Sequence, residues 1–131
     1  MSCISQGKMK YMKKIKIKLA EELESYLNNK KEFSEYYPNM NIRISPLYKE
    51  QLKAIVNQLE KENPINAKSF QLYLDTVIIN VHTKAKKYKK SIFFDDDNVK
   101  DIENQGCTIP FYIDEEKNIY VLLGIINPEI N

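Results

Sequence analysis

Apolar residues recur every three or four positions in two neighbouring stretches. Tyr48, Leu52, Ile55, Val56 and Leu59 form one stripe, and Ala67, Phe70, Leu74, Val77, Ile78 and Val81 form the next. This spacing puts each set on one face of a helix. Ser45-Pro46 marks a helix start, with a hydroxyl to cap and a proline where no N–H is missed. Asn63-Pro64 ends the first helix, and Asn66 is expected to cap the second, giving an antiparallel helical pair. Ahead of the pair, Asn41-Ile42-Arg43-Ile44 reads as a short strand.

After the pair, Ser91–Phe94 reads as a strand leading into an acidic turn, Asp95-Asp96-Asp97-Asn98, and Val99–Glu103 as a short helical turn. Ile109–Ile113 and Ile119–Ile126 read as strands joined by the hairpin loop Asp114–Asn118. Nearer the start, Lys14–Leu19 alternates with period two like a strand. Ile15, Leu19, Leu23, Tyr26 and Leu27 nevertheless also fit a helical face. Residues 13–18 stay open between the two, and a helix is expected over about 19–35. Tyr36-Tyr37-Pro38-Asn39 breaks the chain there. The expected architecture is α+β: a strand, a helical hairpin and antiparallel strands over 40–131, preceded by a helical extension over 1–39. The later segment is expected to fold alone.

The composition is that of a folded protein, with 43% hydrophobic and 29% charged residues among 131. No apolar run approaches the roughly 18 to 20 residues of a membrane span. The lysine-bearing start is followed by no apolar stretch of the secretory type. Cys3 and Cys107 are far apart and form no CxxC, so reduced thiols in a cytoplasm are the simplest expectation. Net charge is +2. Residues 1–39 carry +3 of it and the remainder is nearly neutral, which argues against a general polyanion binder. Arg43 is the only arginine.

Several chemistries are excluded. His82 is the single histidine, so a zinc site lacks ligands. With glycine only at 7, 106 and 124, phosphate-loop, dinucleotide and nucleophile-elbow patterns are absent, and no cofactor is expected. Asp95, Asp96 and Asp97 suit a solvated turn better than a cation site, and Cys107 has no activating neighbour. The most suggestive feature is Lys84, Lys86, Lys87, Lys89 and Lys90, with Tyr88 among them. Lysines interleaved with an aromatic ring can meet phosphates while the ring stacks on a base. Lys86, Lys87, Lys89 and Lys90 are therefore expected to form the main anion-binding surface. The competing reading is a solvated helix end.

The order Ile42-Arg43-Ile44-Ser45-Pro46, then Lys49-Glu50-x-Leu52-Lys53-x-Ile55, then Glu62-Asn63-Pro64 followed by Asn66-Ala67-Lys68-x-Phe70, resembles the RelE/ParE toxin superfamily. Such toxins begin with a strand bearing I-x-x-S-P or similar. They join two helices through an E-x-N-P-x-A-A-x-x-F-like link and finish in a hairpin like Ile109–Asp114 with Asn118–Leu122. The resemblance covers residues 40 to about 126.

It implies the toxin of a bacterial type II toxin–antitoxin pair, neutralised by a cognate antitoxin. One branch of the family cuts mRNA on the ribosome; the other inhibits DNA gyrase. The nuclease branch usually places several basic residues on the sheet and a Tyr or His near its end. Here Gly124–Asn131 contains no Arg, Lys, His or Tyr. The remaining candidates are Lys89 and Lys90 with Tyr112 or Tyr120 for catalysis. Lys84, Lys86, Lys87, Tyr88, Lys89, Lys90 and Arg43 are those for nucleic-acid contact. Weak or absent ribonuclease activity is expected. The alternative is a non-catalytic binding module that kept this fold. Residues 1–39 lie outside the resemblance, and are read as an appendage packing on the toxin-like part in preference to half of a ribbon–helix–helix unit.

Overall fold

In a computed structural model describing residues 6–131, Ser45 and Asn63 punctuate the chain much as their side chains dictate. Ser45 Oγ accepts the N–H of Tyr48 at 2.9 Å and donates to the carbonyl of Leu123 at 2.7 Å. One hydroxyl thus starts α2 (Pro46–Glu62) and ties it to the end of the sheet. Asn63 closes α2, its N–H bonding Leu59 O at 2.8 Å. Its side chain also accepts from Ile65 N at 3.0 Å and opens α3 (Pro64–Ile79). The cap of the second helix is therefore Asn63, not Asn66. Pro64 already has a helical φ and needs no N–H partner, so the turn between the helices shrinks to a single residue.

The described residues form an α+β fold of four helices and a six-stranded mixed sheet. α1 (Gln6–Leu27) leads into β1 (Ser34–Glu35) and β2 (Ile42–Ile44). After α2 and α3 come α4 (Val81–Lys84), a 3-10 turn (Ala85–Lys87) and β3 (Lys89–Lys90). β4 (Val99–Asn104), β5 (Cys107–Asp114) and β6 (Ile119–Leu122) complete the chain. The sheet runs β1-β2-β6-β5-β4-β3, and β2 pairs parallel to β6 while every other pair is antiparallel.

Two hydrophobic clusters sandwich this sheet. On one face α2 and α3 contribute Tyr48, Ile55, Phe70, Leu74 and Ile78 against Ile42, Ile102, Ile109, Phe111 and Leu122. On the other, α1 contributes Ile15, Leu19 and Leu23 against Phe93, Val99, Val121, Leu123 and Ile126. Neighbouring Val121 and Leu122 are both fully buried, one in each cluster. This is why the run from Val121 to Ile126 is continuously apolar instead of alternating.

The helical extension is thus a layer of the core. Ile15, Leu19 and Leu23 are buried while Ile17 is 58% exposed, so the helical reading of residues 13–18 prevails over the alternating one. Each such burial contributes about 1.5–3 kcal/mol. Residues 40–131 alone would leave the second cluster uncovered, which removes the ground for expecting them to fold by themselves.

Three further expectations are corrected. α1 stops at Leu27 and not near residue 35: Asn29 takes a left-handed φ of 53°, Lys30 N–H bonds Ser25 O at 2.9 Å, and the chain turns into β1. The strand after the lysines is Lys89–Lys90, and Ser91–Phe94 is a turn. Ser91 Oγ accepts from Phe93 N and Asp101 Oδ2 accepts from Ile92 N, which bends the chain and drops Phe93 into the α1 cluster. Val99–Asn104 is a strand and not a helical turn, because Val99 and Ile102 bury on opposite faces of the sheet. Cys3 lies outside the described residues, and Cys107 is a buried free thiol. No helix among the described residues is long and apolar enough to cross a membrane.

Candidate functional site

The lysine run is not the end of one long helix. α3 finishes at Ile79, and the chain continues as α4, the 3-10 turn and β3. Val81 and Ala85 are buried and fix this segment to the core, leaving Lys84, Lys86, Lys87, Lys89 and Lys90 exposed. Tyr88 is only half-exposed. Its ring meets Phe111 edge-to-face, with centroids 5.7 Å apart, and burial pushes its phenol pKa up. It is committed to the core rather than free to stack on a base.

Sheet register sorts the candidates. Lys90 stands opposite Lys100 and Lys89 opposite Asp101, so the two lysines of β3 point to different faces. Lys90 Nζ bonds Asp95 Oδ1 at 2.9 Å and lies 3.5 Å from Asp97 Oδ1. The Asp95 carboxylate raises the pKa of Lys90, and Lys90 lowers that of Asp95. The acidic turn thus holds one of the five lysines in place.

Tyr120 is paired with Ile42 and Ile113 and faces the α2–α3 side. Tyr112 is paired with Val99 and Val121 and faces α1. Burial raises the Tyr112 phenol, and Asp114, Asp96 and the two glutamates of the hairpin loop raise it further. Arg43 shares the α1 face; its guanidinium donates to the carbonyl of Met40 and lies 3.5 Å from Glu35 Oε1.

A cleft of about 560 Å³ opens on the α2–α3 side beside the β5–β6 hairpin. Lys86, Lys100 and Tyr120 line it together with Asp97, Asp114 and Glu115. Of the sequence candidates, only Lys86 and Tyr120 meet there. Lys84, Lys87, Lys89 and Lys90 stand outside its lining, and Tyr112 and Arg43 are on the other side of the sheet. Its three carboxylates outnumber its two ammonium groups, so it offers a phosphate no net attraction. Lys100 was not among the sequence candidates. Its signal is strand parity with Ile102, which becomes visible only when residues 99–104 are read as a strand. Among the described residues no three His, Cys, Asp or Glu side chains converge as a metal cluster.

A different surface is largely apolar. Ile65, Leu72, Tyr73 and Ile79 are 75%, 61%, 61% and 38% exposed along the outer side of α3. Ile65, Leu72 and Ile79 recur every seven residues, and Ser69 and Thr76 lie between them. They form an apolar row flanked on one side by the exposed Lys68 and Asp75.

Comparison with protein-family models, with curated proteins and with solved structures gave no match to this chain.

Proposed function

We propose that this protein is a RelE/ParE-like toxin of a bacterial type II toxin–antitoxin pair, cytoplasmic and neutralised by a cognate antitoxin. It arrests growth by binding its target and not by cutting RNA. The chain order supports the family reading: β2, the α2–α3 hairpin punctuated at Ser45-Pro46 and Asn63-Pro64, then antiparallel β4, β5 and β6.

One observation carries the non-nucleolytic mode. Tyr112 and Tyr120 face opposite sides of the sheet, and the cleft holding Tyr120 contains more carboxylates than lysines. Cleavage at a 2′-hydroxyl needs a base, a cationic clamp on the phosphate and an acid for the leaving oxygen, converging on one point. Lysines supply point charges without the bidentate fork of arginine. General acid–base help alone is worth about 10² to 10⁴ in rate. The exposed apolar row on α3 suits contact with a protein such as gyrase. A second reading, a binding module without toxicity, is favoured by the final strand region, where Gly124–Asn131 carries no ionisable cation or tyrosine.

Controlled expression in a bacterial host tests both readings, with mRNA cleavage mapped and gyrase supercoiling assayed in parallel. Growth arrest with intact mRNA is the expected result. Ribosome-dependent mRNA cutting would overturn the proposed mode, and normal growth would leave the binding module.

A further inference from the structure

The β5–β6 hairpin has a cleft on each side, and the two differ in the balance of charged residues that line them. The larger is the acid-rich one described above. The other, about 400 Å³, lies where the end of α1, the β1–β2 segment and the hairpin loop meet. Lys31, Arg43 and Lys117 line it against a single carboxylate, Glu32, and Tyr26 and Phe33 supply an aromatic wall. We infer that this α1-side cleft binds a nucleotide, its phosphate held by Arg43 and Lys117 and its base set against Tyr26 and Phe33. The inference stands apart from the toxin reading, because it requires only binding and takes its aromatic wall, Tyr26 and Phe33, from residues outside the family resemblance.

The cations are available in different ways. Lys117 forms no ion pair among the described residues. Its ammonium group sits 5.8 Å from the centroid of the Tyr26 ring, a cation held over an aromatic face at the mouth of the cleft. Arg43 is largely buried and its head is oriented in advance by the carbonyls of Met40 and Ile42. Its carboxylate partner, Glu35, lies 3.5 Å away, is half-exposed and is not part of the lining, so it competes weakly with an incoming phosphate. Lys31 is shared with Glu22 at 3.2 Å and adds long-range attraction more than direct contact.

The wall is equally defined. Tyr26 and Phe33 are tilted against each other with centroids 5.3 Å apart. The Tyr26 hydroxyl donates to Asp114 Oδ2 at 2.6 Å, which fixes the ring and occupies that oxygen of the carboxylate. Asn29, also in the lining, adds an amide that can read a base edge. A volume of this size falls within the range of small-ligand sites. A planar ring next to a dianion is the chemistry that an aromatic wall beside two or three cations recognises. That combination occurs in a free mononucleotide and at the phosphorylated end of a strand.

Calorimetric titration of the full chain tests the inference, with AMP, inorganic phosphate and 5′-phosphorylated hexa-adenylate as probes. AMP is expected to bind more tightly than phosphate, and Phe33→Leu to erase that difference. Lys117→Glu should weaken AMP binding by about tenfold or more, since it replaces a charge-assisted contact by repulsion. Its thermal melt should stay unchanged, because the side chain is exposed on a turn. Lys86→Glu, in the other cleft, should change AMP affinity by less than about twofold. Equal affinities for AMP and the oligonucleotide assign the site to free nucleotides, and tighter oligonucleotide binding assigns it to a strand end; both support the inference. No heat from either at millimolar concentration would overturn it. So would phosphate binding as tightly as AMP, or Lys86→Glu matching the loss of Lys117→Glu.

Discussion

The Glu22 carboxylate, carried on α1, accepts the backbone N–H of Leu47 in the first turn of α2 at 2.9 Å. Its other oxygen receives Lys31 Nζ at 3.2 Å, and the side chain is almost completely buried. An acidic group from one layer thus satisfies a helix-start donor of another. It also meets the positive end of that helix, where a negative charge is favoured.

Glu22→Ala should destabilise the protein by about 1–3 kcal/mol, because it leaves the Leu47 donor without its acceptor. A fall in Tm of roughly 5–10 °C is expected by differential scanning calorimetry. Glu22→Gln keeps an acceptor oxygen and should lose less. Equal melts for Glu22→Ala and the parent would show that water replaces the carboxylate at no cost.

The layer formed by α1 predicts a sharp contrast along its length. Leu19→Ala should cost about 2–5 kcal/mol in urea unfolding, as for other fully buried leucines. Ile17→Ala, two positions away but exposed, should stay within about 0.5 kcal/mol. A fragment of residues 40–131 should lack a cooperative melt. A fragment melting like the whole chain would show that the second cluster is dispensable.

Gly124 sits between two layers. A Cβ there would meet Leu19 Cδ2 at 2.8 Å and Gln51 Oε1 at 2.7 Å. Gln51 Oε1 is already engaged, accepting the N–H of Ile125 at 2.9 Å. Gly124→Ala should therefore cost about 1–3 kcal/mol through overpacking, read as a shift in the urea midpoint. A neutral substitution would mean that Gln51 swings away freely.

Asp101 predicts a pH effect. It is buried, one of its oxygens accepts from Ile92 N, and the other has no partner. Burial raises its pKa above the ordinary value, outweighing the hydrogen bonds that pull it down. With the folded pKa above the unfolded one, the stability this group contributes is complete below the unfolded value, near about 4. It is lost as pH rises through the folded value. Asp101→Asn keeps an acceptor for Ile92 and removes the titration. The stability difference between Asn and parent should shift in favour of Asn as pH rises from about 4. A difference independent of pH would assign the residue a purely geometric role.

Much of the helical architecture was legible because single residues enforce it. Ser45-Pro46 and Asn63-Pro64 cap and break helices by local hydrogen bonding, and the apolar stripes fix which faces are buried. Residues 13–18 and 99–104 were ambiguous or misread for a common reason. Both mix charged and apolar positions, and only tertiary partners decide which period counts: the sheet face for Ile15, and the opposite faces for Val99 and Ile102. The lysines and tyrosines could be enumerated from the sequence, but not grouped. Whether Tyr112 and Tyr120 share a face depends on the register of β5 against β6 and on the parallel pairing of β6 with β2. The cationic cleft was invisible because Tyr26 and Lys31 belong to a segment read as an appendage.

The parallel pairing of β2 with β6 also sets a timetable for biosynthesis. On their β6 side Ile42, Arg43 and Ile44 find their partners in Tyr120, Val121 and Leu122, and α1 waits for Val121, Leu123 and Ile126 to complete its cluster. At roughly 5–20 residues per second, translation spends about 4–16 s between the first partner and the last. During that interval the α2–α3 hairpin and the β1–β2, β3–β4 and β4–β5 pairs have their sequence neighbours at hand, but nothing yet joins β1–β2 to β5. The nascent chain must carry one edge of β2 unpaired and α1 incompletely covered until β6 emerges, so premature termination before residue 119 leaves an open sheet edge and an exposed apolar helix face for the cell's quality control instead of a shortened working protein.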